Sequence, residues 1–159
     1  MLLLVACAAD TNSSPTEPEQ PSFDEAILGT WEMIELEVEA PTYADTDTTF
    51  RQHIQEADWA RVYGVAPGRT TFSADGKLIR RNRLVGNDSP MLTHGLWRFE
   101  NDSLLIIEPN TTQFFVPEMN ATQDQLEVKG QIDWDNDGEL DDRYRARYRL
   151  VGKTQEAEN

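Results

Sequence analysis

From Arg143 to Leu150 the chain alternates without a break between an arginine and an apolar or aromatic side chain. A period of two places Arg143, Arg145, Arg147 and Arg149 on one face of a β-strand and Tyr144, Ala146, Tyr148 and Leu150 on the other. On a helix the same residues would scatter around the axis. Such a segment is a half-buried strand, and it needs partners to hydrogen-bond. Residues 125–134 have the same period, with Leu126, Val128, Ile132 and Trp134 against Glu127, Lys129 and Gln131. In residues 28–39, Ile34, Leu36 and Val38 alternate with Glu35, Glu37 and Glu39. Trp31 and Met33 have the opposite parity, which predicts a β-bulge at Met33-Ile34.

Eight strands are predicted: 28–39, 70–73, 77–85, 93–100, 103–108, 112–117, 125–134 and 143–151. Short turns join most of them, Ala74-Asp75-Gly76 and Asn101-Asp102 being the clearest. Consecutive strands on short turns form an antiparallel meander. Eight are enough to close an up-and-down barrel, which leaves no exposed edge and can enclose a small ligand. The fold class is therefore all-β, an eight-stranded antiparallel barrel. On closure the first and last strands pair, so the outward Glu35, Glu37 and Glu39 are expected beside Arg145, Arg147 and Arg149. Residues 49–63 break the pattern. Phe50, Ile54, Ala57 and Arg61 have helical spacing, with Trp59, Val62 and Tyr63 beside them. They predict one short helix in the first long connection, over a barrel mouth. It would serve as a plug or as a lid, with Trp59 and Tyr63 as candidate ligand contacts.

The 159 residues carry 14 Lys+Arg against 29 Asp+Glu, a formal charge of −15. Such a chain is repelled by phosphate backbones, which argues against nucleic acid as a partner. Anionic headgroups would repel it too, so membrane attachment is expected from something other than a basic patch. The single cysteine supplies it. Leu4-Val5-Ala6-Cys7 resembles the lipobox of bacterial lipoprotein signal peptides, in which the cysteine is lipidated and becomes the mature N-terminus. The competing reading is an apolar N-terminus packed into the domain. The apolar run before Cys7 is shorter than the roughly 7–15 residues of a signal-peptide core, which predicts further residues upstream. The chain thus divides into a signal remnant ending in Cys7 (1–7), a polar, proline-rich tether (8–22), the barrel (23–153) and a polar tail (154–159). The expected location is the cell envelope, lipid-anchored, at the outer membrane.

Four further segments carry a family resemblance: Leu28-Gly29-Thr30-Trp31, Thr71-Phe72-Ser73-Ala74-Asp75-Gly76, Gly95-Leu96-Trp97-Arg98-Phe99 and Asp102-Ser103-Leu104-Leu105-Ile106. Together they resemble the bacterial lipocalin-like lipoproteins of the Bacteroidota. The resemblance spans roughly Ile27 to Lys153, and its motifs are short and structural. It implies a calycin-type barrel outside the cytoplasm that holds a small apolar or amphipathic ligand, with Gly29, Trp31, Gly95 and Trp97 as structural positions. It also implies that Trp31 closes the barrel floor under a basic residue of the last strand, Arg147 or Arg149.

Residues 133–142 match the D-x-[DN]-x-[DN]-G start of a calcium loop, which brings side-chain oxygens from alternate residues to one centre. Asp133, Asp135, Asp137, Glu139, Asp141 and Asp142 are the candidate ligands. Tyr144 stands where an EF-hand has its bidentate glutamate, and strands rather than helices flank the loop. The alternative is a solvated Asp-Gly turn. Arg80 is the other candidate. If Leu78 and Leu84 face inward, so do Arg80 and Asn82, and a buried arginine must be paired. Its partner would be an anionic ligand head or a carboxylate of a neighbouring strand. No nucleophile elbow, phosphate loop or zinc spacing is present, so a catalyst is not expected. Three readings compete: a binding module, an envelope interaction or inhibitor protein with a solid barrel, and an enzyme built on Arg80, a carboxylate and His94.

Overall fold

The computed structural model describes residues 21–153. Cys7, residues 8–20 of the proposed tether and the tail 154–159 lie outside them.

Strand β1 (Gly29–Ala40) is twelve residues long and holds three neighbours. Strand β9 (Asp142–Gly152) pairs along one edge, from Thr30 to Glu39. The other edge carries two strands in succession. Strand β2 (Phe50–Gln55) pairs with residues 35–40, and β3 (Val65–Phe72) pairs with residues 29–32. Strands β4 (Lys77–Leu84), β5 (Met91–Glu100), β6 (Ser103–Glu108), β7 (Thr111–Asn120) and β8 (Gln125–Ile132) follow, each antiparallel to the last, back to β9. Because β2 and β3 occupy successive parts of one edge, nine strands make eight staves. The protein is a closed, eight-staved antiparallel barrel of the lipocalin-like all-β type.

The helix expected over 49–63 is only half present. Residues 50–55 are strand β2, and α2 (Asp58–Tyr63) is a helix of six residues. The reason is numerical. Phe50 and Ile54 are four apart, a spacing that suits both one helical turn and alternate positions of a strand. Pairing with β1 decides it, placing Ile54 beside Leu36 and Gln52 beside Val38.

The bulge forms where the parity switch placed it, with a register shift between Met33 and Glu35. The two charged rows then lie side by side, as expected, with Glu35 opposite Arg147 and Glu37 opposite Arg145. Glu39, however, meets Arg143, and Arg149 is drawn to Glu32 on the near side of the bulge. The outer face of this seam is a connected ladder of charges. Arg147 pairs with Glu35, and Arg145 bridges Glu37 (3.2 Å) and Glu127 (2.7 Å). Arg149 bridges Glu32 (3.0 Å) and Glu56 (2.8 Å). Each exposed pair is worth about 0.2–1 kcal/mol, but a network in fixed register also excludes a slipped closure.

The floor is solid. The Trp31 indole N–H donates to the Ile27 carbonyl at 2.7 Å, and the Trp97 indole N–H donates to the Ser73 carbonyl at 3.0 Å. Phe72 meets Trp97 edge-on at 5.6 Å. Helix α1 (Phe23–Ala26) seals the end, with Phe23 packed at 4.4 Å on Phe99. Gly29 has φ +138°, and a Cβ there would lie 2.5 Å from the Gly152 carbonyl oxygen. Only glycine lets the first and last strands close so tightly. The basic cover implied for Trp31 is not formed, because Arg147 and Arg149 are held on the outer face by Glu35, Glu32 and Glu56.

Candidate functional site

Above the two floor tryptophans the barrel is hollow. The cavity has a volume of about 480 Å³, within the roughly 300–1,000 Å³ range of small-molecule sites. Phe72, Leu104 and Leu126 line its lower part, and Ile106, Phe115, Val128 and Ile132 its walls. Met91, Asp133 and Trp134 lie toward the mouth. These residues point inward because alternate positions of every stave must, the same period that identified the strands.

Arg80 lies inside, as its parity with Leu78 requires. Its Nε is 3.3 Å from Oε1 of Glu108, with the two side chains 27% and 10% exposed. The two expectations for Arg80 therefore merge: it lines the cavity and it is paired. Its partner is not on a neighbouring strand but on β6, beyond β5. Gly95 makes the crossing possible. A Cβ at that position would stand 3.2 Å from Cγ of Glu108 and 2.5 Å from the Ile107 carbonyl oxygen. Neither Arg80 Nε nor Glu108 Oε1 forms a well-directed hydrogen bond, and both atoms are buried, so the contact is chiefly one of charge. Tyr144 stands near the same pair, and burial, with Tyr148 beside it, pushes its hydroxyl well above the usual tyrosine range.

Trp59 also lines the cavity, through α2, and its indole N–H is buried without a partner. Tyr63, the other candidate on this helix, does not line it. Its hydroxyl instead accepts from the Gln52 side chain at 2.8 Å, which fastens α2 to β2. The helix is a patch in the barrel wall rather than a cap over its mouth. Trp134 and Asp133, which line the cavity, and Glu108, which pairs with Arg80 behind it, are residues that the sequence did not single out for the site. Inward parity is the signal for Glu108 along β6 and for Trp134 just past β8; Asp133, of the opposite parity and outside the strand, has no such signal.

The acidic loop fits a divalent cation only in part. Ligand atoms of Asp133, Asp135 and Asp142 lie within 4.8 Å of one another, whereas Asp137, Glu139 and Asp141 do not join them. Calcium takes 6–8 oxygens. The three converging carboxylates already have backbone work. Asp142, 1% exposed, accepts from the N–H groups of Trp134 (2.5 Å) and Asp135 (3.3 Å). Asp133 accepts from Gly138 at 3.1 Å, and Asp135 accepts from Ala44 at 2.5 Å. These bonds fix the loop by themselves. Burial raises the Asp142 pKa, the two N–H groups oppose this, and repulsion from Asp135 and Asp141 adds to it.

The two histidines stand away from the cavity. His94 pairs with Ile79 in the register of β4 and β5 and points outward, so it does not complete a polar cluster with Arg80. His53, expected on a helix, is on β2 with Nε2 2.6 Å from Glu35. A wider groove of about 620 Å³ crosses the outside of β2, β1, β9 and β8. Most of the charged groups lining it are paired within the ladder, so it offers a ligand little that is unsatisfied. Comparison with known proteins finds neither a family model nor a curated protein that matches this chain.

Proposed function

We propose that this protein is a lipid-anchored binding module of the cell envelope, which holds one small, mainly apolar molecule in the upper half of its barrel. The observation that carries the reading is the hollow of about 480 Å³ between the tryptophan floor and the mouth. A barrel used only as an interaction scaffold has no need of such a space, because native cores are otherwise close-packed. The polar groups refine the ligand. Arg80 is already neutralised by Glu108, which disfavours an anionic head. Arg80, Asn82, Gln113 and Asp133 are among the few polar residues in a mainly apolar lining, which suits a mostly apolar molecule with one neutral polar end. The lipocalin-like resemblance and the lipobox at Cys7 support the placement of this module at a membrane surface.

The test is titration with the neutral apolar fluorophore N-phenyl-1-naphthylamine. Saturable binding at one site is expected. Val128→Phe, which fills the cavity, should abolish it without lowering the melting temperature. Absence of saturable binding, or unchanged binding in a folded Val128→Phe variant, overturns the proposal. For the anchor, cells fed a clickable palmitate analogue should label the protein through Cys7. Labelling that persists in Cys7→Ser removes that part of the reading.

A further inference from the structure

The outer end of the β4–β5 hairpin is apolar and exposed. Leu84, Val85, Met91 and Leu92 are 48%, 57%, 59% and 49% accessible. Two cations stand beside them. Arg81 is directly cross-strand from Leu92, and Arg83 is one residue from Leu84. Both arginines are exposed. Among the described residues only Arg81, Arg83 and Lys153 carry a positive charge without an ion pair. A chain with 29 acidic residues has thus left its two adjacent free arginines at its apolar tip. Asp88 is the single acid between Leu84 and Met91.

We infer that this tip docks on a lipid bilayer containing anionic phospholipid. The four apolar side chains enter the interface while Arg81 and Arg83 meet headgroup phosphates. The chain's overall acidity does not forbid this. The acidic loop of residues 133–142 joins β8 to β9, four staves from the β4–β5 hairpin in either direction around the barrel. Eight staves at about 4.8 Å each enclose a barrel roughly 12 Å across, so the loop stands on the opposite lip of the mouth, beyond the ~8 Å screening length of physiological salt. A bilayer fits better than a protein partner. The tip is a narrow, convex end of one hairpin, whereas a stable protein interface covers about 800 Å² on each side. Soft lipid closes around such a shape. Met91 and Asn82 of the same hairpin line the cavity, so docking sets this lip of the mouth on the membrane and tilts the acidic lip away from it. A tether of fifteen residues, at up to about 3.5 Å each, is long enough to permit that orientation.

The docking is independent of whether the cavity holds a ligand, so its test can fail without touching the preceding proposal. The full chain carrying Cys7→Ser, which removes any acyl contribution, is sedimented with vesicles of phosphatidylcholine alone or with phosphatidylglycerol. Binding to the mixed vesicles is expected. Arg81→Gln with Arg83→Gln should weaken it by roughly thirtyfold. Since the residues before Cys7 are also apolar, a local probe is needed. Val85→Cys in the same Cys7→Ser background gives a single thiol, and an environment-sensitive nitrobenzoxadiazole label on it should shift its emission to the blue on vesicle addition. Equal binding by the arginine variant, no binding to either vesicle, or emission from the label on Val85→Cys that ignores lipid overturns the inference.

Discussion

Glu108 on β6 reaches over the bare Cα of Gly95 to face Arg80 on β4, Oε1 to Nε, at 3.3 Å inside the barrel. A strand separates the two residues, so the pair is a tertiary contact rather than a ladder neighbour. Either charge alone in this half-dry space would be costly. Arg80→Met or Glu108→Met should each lose about 2 kcal/mol, below the ~3–5 kcal/mol of a fully buried pair because water still reaches Arg80. The double variant Arg80→Met with Glu108→Met should regain most of that loss. A urea-denaturation cycle checks this, and additive losses would show that the two side chains do not act together.

Gly95 should tolerate no side chain. Gly95→Ala forces a methyl group against the Ile107 carbonyl and the Glu108 side chain. Overpacking of this kind costs about 1–3 kcal/mol, and the expected readout is a clear fall in melting temperature. A variant as stable as the parent would mean that Glu108 takes another path.

Acid should loosen the closing seam. The hydrogen bond from Arg145 is the chief cause that holds Glu127 down at about 2; burial opposes it and Lys129 assists. Burial acts to raise Glu32, but Arg69 and Arg149 outweigh it and keep that carboxyl below its ordinary value. A carboxylate with a lowered folded pKa stabilises the fold above its unfolded value and loses that contribution as pH falls. For Glu127 the window runs from 4.5 down to about 2. Glu127→Gln should be about 1 kcal/mol less stable at pH 7, with the difference shrinking through this window and vanishing only below about pH 2. Parallel stability curves across that window would contradict the assignment.

The acidic loop should depend on its buried aspartate and not on an ion. Asp142→Ala strands two backbone N–H groups and should cost about 2 kcal/mol. Asp142→Asn keeps an acceptor oxygen and relieves the repulsion from Asp135 and Asp141, so it should remain near the parent. Melting curves in millimolar calcium and in chelator should superimpose. A calcium-dependent rise seen in the parent and lost in Asp142→Ala would identify a bound cation instead.

The barrel was legible because each stave buries one face, and a two-residue period survives any tertiary context that keeps it so. That the glutamate row of the first strand meets the arginine row of the last could be written down before the structure, since closure and parity require it, whereas which residue faces which was set by the bulge. Other features depended on quantities a single sequence does not carry. The ambiguous Phe50–Ile54 spacing hid β2 inside an apparent helix. Glu108 looked like the ordinary polar end of a strand, and only the missing Cβ of Gly95 brings it to Arg80. The six acidic residues of 133–142 matched a ligand motif by spacing, yet only Asp133, Asp135 and Asp142 converge.

The division of one stave into β2 and β3 has a consequence for how this barrel can vary. Both pieces are stitched to the same edge of β1, so the chain leaves the wall after Gln55 and returns at Val65 without changing the pairing of any other strand. The residues between act as a detour whose length is uncoupled from the circumference. Lengthening a loop costs only about 0.6 kcal/mol per doubling. Extra residues around α2 would therefore enlarge or reshape the cavity wall beside Trp59 while leaving the closing seam in register, which makes this detour the place where a new specificity can be grafted onto an unaltered frame.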